Sequence, residues 1–173
     1  SKASITLSEE YDYIYSACGV HPEEVDGLPE NYIEILRELS KNKKCVAIGE
    51  IGLDYYWRQD NKEAQKRVFE EQILLAKELN LPIIVHDREA HEDTLNILKK
   101  YKPKGVLHCF SGSAEMAKEV LKLGMYIGLG GALTFKNARK PVEVAEMLPL
   151  EKLLLETDCP YMAPVPMRGK RNY

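Results

Sequence analysis

The chain has 173 residues, of which 45% are hydrophobic and 29% charged. That is enough apolar side chain to bury a substantial core, which excludes a disordered tail and a disulfide-dependent miniprotein. A formal charge of -3 at pH 7 gives no global pull toward nucleic acid or an anionic membrane, so any anionic substrate has to be held by local groups.

Predicted strands and helices alternate along the chain. Strands are expected at 13–20, 45–51, 81–86, 105–108, 125–129 and 152–156, most of them apolar on both alternate faces as in covered parallel sheets. Helical periodicity falls at 30–40, at 62–79 with Ala64, Val68, Phe69, Ile73, Ala76 and Leu79 on one face, and at 89–101. Ser113 is the expected N-cap of a further helix that passes through Val120 and Leu121 and stops at Gly124. Cys18, Cys45, Cys109 and Cys159 form no C-x-x-C pair, a usage expected of reduced thiols in a cytoplasmic protein. No stretch approaches the roughly 18 apolar residues of a membrane span, and no membrane partner is expected.

Two architectures fit six βα units. Length favours an open doubly wound sheet, since a (β/α)8 barrel typically takes about 250 residues. The strand ends favour the barrel: Val20-His21, Gly49-Glu50, Val85-His86, Leu107-His108 and Glu156-Thr157-Asp158 place metal-ligand residue types at one strand terminus after another. Parallel strands direct those termini to one face, and only a closed sheet brings the outer ones together. Imidazoles with carboxylates suit Zn, Mn, Ni or Mg, ions that lower the pKa of a water and polarise a phosphoryl or carbonyl oxygen, so hydrolysis is the expected reaction class.

The runs at 49–55 (GEIGLDY), 85–90 (VHDREA), 108–112 (HCFSG) and 156–161 (ETDCPY), with Gly19-Val20-His21-Pro22 and the closing 164–172 (PVPMRGKRN), resemble the successive signatures of the TatD family of metal-dependent deoxyribonucleases. The resemblance implies an amidohydrolase-like TIM barrel with a di-metal centre that hydrolyses phosphodiesters, commonly as an exonuclease. It assigns Glu50 as the carboxylate shared between two ions, His86 and His108 as ligands of one, and Asp158 as a ligand or water-orienting base near the other. Glu50 and Asp158 are thus the expected catalytic groups. Family members begin with a His-x-His pair that has no counterpart here and continue beyond residues 168–172. The expectation is therefore one incomplete barrel domain over 1–173, holding the second to seventh strands. It should bind one divalent ion weakly where a complete site binds two, and show little or no nuclease activity.

DNA, single-stranded or at 3′ ends, is the expected substrate, and open strand edges are expected to invite self-association. Small amide or ester hydrolysis, or a non-catalytic metal-binding role, are the alternative readings. Around the ligands, His21 is expected at the pocket rim, and Arg88 is placed to bind phosphate bidentately. Tyr55, with Tyr56 and Trp57, is expected to stack on unpaired bases or to cap the barrel mouth. Arg168 belongs to a basic group with Lys170 and Arg171, matched by Lys136, Arg139 and Lys140, that can contact a DNA backbone. Gly128, Gly130 and Gly131 lack the spacing of a phosphate loop, and close backbone approach is the expected reason for them.

Overall fold

The computed structural model describes residues 1–173, which form two compact units, Ser1–Gly105 and Val106–Tyr173. The first contains α1 (Lys2–Glu10), β1 (Ser16–Cys18), α2 (Tyr32–Leu39), β2 (Cys45–Asp54), α3 (Lys62–Glu78), β3 (Ile83–Arg88) and α4 (His91–Tyr101). β1 pairs with β2 and β2 with β3, both in parallel. After β4 (Gly105–Leu107), at the boundary, the second unit holds α5 (Ala114–Lys122), β5 (Tyr126–Leu129), α6 (Arg139–Met147) and β6 (Leu153–Leu155). β5 lies parallel to β4 on one side and to β6 on the other.

The long elements follow their apolar pattern. Ile48, Ile51 and Leu53 of β2 and Ile83 and Val85 of β3 are fully buried, and Val68, Phe69, Ile73 and Ala76 of α3 are buried with them. In the second unit the buried side chains include Leu107, Ala117, Val120, Met125, Ile127 and Val144. Ser113 caps α5 as expected, its Oγ accepting the Met116 N–H at 3.3 Å. Two helices went unpredicted. α1 buries only Ile5 and Ser8, and α6 only Val144, so neither carries the apolar stripe from which a helix is read.

Strand limits depart from expectation in a way that shapes the site. The first strand contracts to three residues, leaving Tyr13 and Tyr15 largely exposed. β2 runs past Glu50 to Asp54 and β3 past His86 to Arg88, so neither Glu50 nor His86 closes its strand. The β2 to β3 register passes from Ile48↔Ile83 to Ile51↔Val85, which leaves one extra residue on β2 across Gly49 and Glu50. Such a bulge bends the strand and re-aims its side chain. No helix is long and apolar enough to cross a membrane.

Candidate metal centre

In the first unit, His21, Glu50 and His86 present ligand atoms that all lie within 4.8 Å of one another. Glu50 comes from the bulge in β2, and His86 lies opposite Gly52 in the β2 to β3 ladder. A Cβ on Gly52 would sit 1.9 Å from the His86 carbonyl oxygen at a φ of +146°, so only glycine lets the two strands close here. His86 Nδ1 is 3.0 Å from Glu50 Oε1, and Nε2 is 2.9 Å from Asp54 Oδ2. Burial opposes the imidazolium, but bonding to the Glu50 and Asp54 carboxylates outweighs it and holds the His86 pKa above the ordinary histidine value. The His21 ring meets the His86 ring edge-on at 4.5 Å between centroids, and burial, then repulsion from His86, lowers its pKa. His21, expected at the rim, thus stands within the donor group.

Asp54 is the residue that sequence reasoning passed over. Its side chain is 1% exposed. Oδ1 accepts the N–H groups of Tyr56 and Trp57, each at 2.9 Å, while Oδ2 faces His86 Nε2. A carboxylate on one imidazole nitrogen fixes the tautomer and leaves the other nitrogen to a metal. Here that other nitrogen is Nδ1, on the Glu50 side.

α3 holds this arrangement through two fully buried glutamines. Gln65 accepts the Asp54 N–H through Oε1 at 2.8 Å and donates from Nε2 to the Asp54 carbonyl at 3.0 Å. Seven residues on, about two turns along the same face, Gln72 does the same for Val20, at 2.7 and 3.1 Å. Val20 immediately precedes His21. Buried amides paired in this way are satisfied rather than costly.

In the second unit, His108, Cys109 and Glu156 form a comparable group, again with ligand atoms within 4.8 Å. Glu156 Oε2 is 2.6 Å from His108 Nδ1, and Oε1 accepts the Cys109 N–H. His108 Nε2 faces the other way, 3.6 Å from Asp158 Oδ1. A Cβ on Gly128 would come within 2.5 Å of Glu156 Oε2, so this glycine makes room for the carboxylate, in keeping with close approach rather than a phosphate loop. Glu156 thus stands on one ring nitrogen of His108 as Asp54 stands on one ring nitrogen of His86.

The remaining expected residues are placed as follows. Tyr55 is buried, at 7% exposure, and its hydroxyl donates to Asp93 at 2.7 Å, so its ring and hydroxyl are spent on packing. The rings open to solvent are those of Tyr56 and Trp57. Arg88 is exposed and lies over the Tyr56 ring, 4.1 Å from its centroid. Arg168 lies over Phe135, also at 4.1 Å. Arg139 pairs with Glu143 at 2.9 Å.

Imidazole and carboxylate clusters on, and just beyond, the parallel strands of βα units are the layout of a metal-dependent hydrolase of the amidohydrolase-like barrel class. The family model described as TatD related DNase matches residues 1–173, and the chain belongs to that family. It is 51% identical over 172 residues to a Bacillus subtilis protein named uncharacterized metal-dependent hydrolase YabD, covering 98% of this chain and 68% of the relative. With a Pantoea ananatis protein named 3'-5' ssDNA/RNA exonuclease TatD the identity is 40%, covering 92% of this chain and 63% of that protein. The crystal structure of YJJV, a TatD homolog from Escherichia coli, superposes with a TM-score of 0.92 at 37% identity, over 99% of this chain and 68% of that one. A Deinococcus radiodurans lactonase mutant, at 12% identity and a TM-score of 0.54, shares the fold alone. The six parallel strands correspond to part of an amidohydrolase-like (β/α)8 barrel, and the chain spans 63% to 68% of the length of these relatives.

Proposed function

We propose that the protein hydrolyses phosphodiester bonds of DNA, acting on single strands or 3′ ends, and that this 173-residue chain does so weakly, with one divalent ion. The observation that carries this reading is the pairing of Glu50 with His86, ligand types that the motifs put on β2 and β3, with Asp54 on the other nitrogen of the His86 ring. The donors that the motifs assign to one ion, Glu50 and His86 in the first unit and His108 in the second, are of the types that suit Mg, Mn, Zn or Ni. When bound, such an ion supplies a water of lowered pKa and polarises a phosphoryl oxygen.

The protein's own groups do the rest. Asp54 orients the His86 imidazole through Nε2 in the first unit, and Glu156 orients that of His108 through Nδ1 in the second. Asp158 Oδ1, on a carboxylate 40% exposed and 3.6 Å from His108 Nε2, takes the proton of the attacking water. Arg88 binds a phosphate of the strand through its guanidinium. Four unbridged thiols, among them Cys18 and Cys45 with sulfurs 3.6 Å apart, support a reducing, cytoplasmic compartment.

The test is chelator-sensitive release of mononucleotides from single-stranded DNA in Mg²⁺ or Mn²⁺, with calorimetric titration of the ion. Glu50→Gln should weaken ion binding by about 10- to 100-fold. Absence of chelator-sensitive release with every one of the four metals overturns the hydrolytic reading, and two tight ions per chain overturn the stoichiometry.

A further inference from the structure

The tip of the first unit carries two exposed rings that the hydrolytic step does not use. Tyr56 and Trp57, directly after β2, are 55% and 60% exposed. Their rings meet edge-on, with centroids 4.8 Å apart and planes at 87°. Arg88, the last residue of β3, lays its guanidinium 4.1 Å from the Tyr56 centroid and 5.4 Å from that of Trp57.

The side-chain contacts that Arg88 makes are with these two rings, and the neighbouring Asp87 pairs with His91 instead. The guanidinium is thus a cation held on aromatic faces rather than neutralised by an acid. Two large exposed rings capped by such a cation match what a nucleic acid strand offers, a flat base beside a negative phosphate.

The surface is also fixed relative to the chemistry. Asp54 Oδ1 binds the backbone N–H groups of both Tyr56 and Trp57, while Oδ2 of the same buried carboxylate binds His86 Nε2. One side chain therefore sets the aromatic pair and the candidate ligand in common register.

We propose that Tyr56, Trp57 and Arg88 form a platform on which an unpaired nucleobase stacks, with Arg88 also meeting the adjoining phosphate. The proposal rests on the phosphodiesterase reading for the identity of its occupant. Stacking needs only the π-face that every base has, so it carries no sequence preference. It does need a base free of its duplex partner, and the platform thereby selects single strands and frayed ends over paired DNA.

Trp57 is the only tryptophan in the chain, so its emission reports on the platform alone. A deoxythymidine decamer, titrated in EDTA so that the strand is not consumed, should quench Trp57 emission, and a blunt DNA hairpin of equal length should not. Trp57→Ala should weaken decamer binding, followed by fluorescence anisotropy, by about 5- to 150-fold, equivalent to ~1–3 kcal/mol at about 1.4 kcal/mol per tenfold. Trp57→Phe should recover most of the affinity, Arg88→Gln should reduce it, and Tyr13→Ala, which alters an exposed tyrosine elsewhere, should leave it unchanged.

Unaltered Trp57 emission on decamer binding, a Trp57→Ala affinity within twofold of the parent, or no decamer binding by the parent each overturns the platform. Hydrolysis of bis(4-nitrophenyl) phosphate by the parent chain in Mn²⁺ tests the phosphodiesterase reading separately, because that compound carries no nucleobase. Its cleavage without Trp57 quenching by the decamer sinks the platform and leaves the hydrolase. Quenching without cleavage does the reverse.

Discussion

Asp54→Asn is a nearly isosteric change whose consequence follows from one ring. In the parent, Asp54 Oδ2 accepts from His86 Nε2 at 2.9 Å and Glu50 Oε1 lies 3.0 Å from Nδ1, so the ring keeps its Nε2 proton for Asp54 when a metal takes Nδ1 on the Glu50 side. In the variant the amide oxygen takes over the bonds to the Tyr56 and Trp57 N–H groups, and the amide nitrogen, a donor, faces Nε2. His86 must then carry its proton on Nδ1, where it is held by Glu50 and blocks the nitrogen that a metal would use. Loss of such an outer carboxylate costs about 10- to 100-fold in metal affinity, or ~1.4–2.7 kcal/mol at about 1.36 kcal/mol per tenfold. Because Oδ1 keeps both backbone partners, global stability should change little. Mn²⁺ titration calorimetry measures the affinity, and long-range ¹H–¹⁵N correlation of the labelled imidazole assigns the tautomer. Unchanged affinity together with an unmoved His86 proton would refute the reasoning, since the buried carboxylate would then have no hold on the ring.

Two further outcomes are expected. Gly128→Ala puts a methyl about where Glu156 Oε2 lies, at a separation of 2.5 Å, so Glu156 must leave His108 and the Cys109 N–H. Overpacking of this kind costs about 1–3 kcal/mol, read as a lowered urea midpoint, and a variant as stable as the parent would show that the carboxylate has another place to go. Stability should also decline with rising alkalinity. Burial, against a lowering bond to Ser40, pushes the Cys18 thiol up to about 11 from its ordinary 9.0. Burial and bonds to Glu71 and Asp93 likewise raise the phenols of Tyr32 and Tyr55. The folded chain retains protons that the unfolded chain sheds, so Cys18 contributes fully below pH 9 and its contribution is lost as pH climbs through 11. Its share is at most ~3 kcal/mol, from about two pKa units at about 1.36 kcal/mol each. Urea melts from pH 8.5 to 11 check this, Cys18→Ala should remove the Cys18 share, and a flat profile contradicts it.

What could be read in the sequence, and what could not, divides along a physical line. Long apolar elements such as β2 and α3 were legible because burial of Ile48, Ile51, Phe69 and Ile73 imposes periodicity on the chain itself. His21, Glu50, His86, His108 and Asp158 were legible as ligand types because each follows an apolar run. The groups that orient them were not. A buried Gln65 or Gln72 reads locally as a solvated helix residue, and its partners, Asp54 and Val20, are 11 and 52 positions away. One signal was present: the two glutamines fall on the same α3 stripe as Val68, Ile73 and Ala76, where a solvent-facing amide has no place. Likewise Asp54 ends an apolar strand at zero exposure, a position an acid holds only with partners waiting. The bulge at Glu50 has no local marker beyond its flanking glycines, because it depends on the register of β3.

The twin amide grips of α3 have a mechanical consequence. Two strand tips, one leading into His21 and the other ending at Asp54, take their positions from a single rod, so an insertion or deletion within Gln65–Gln72 would rotate one anchor by about 100° per residue against the other and unseat one tip or both.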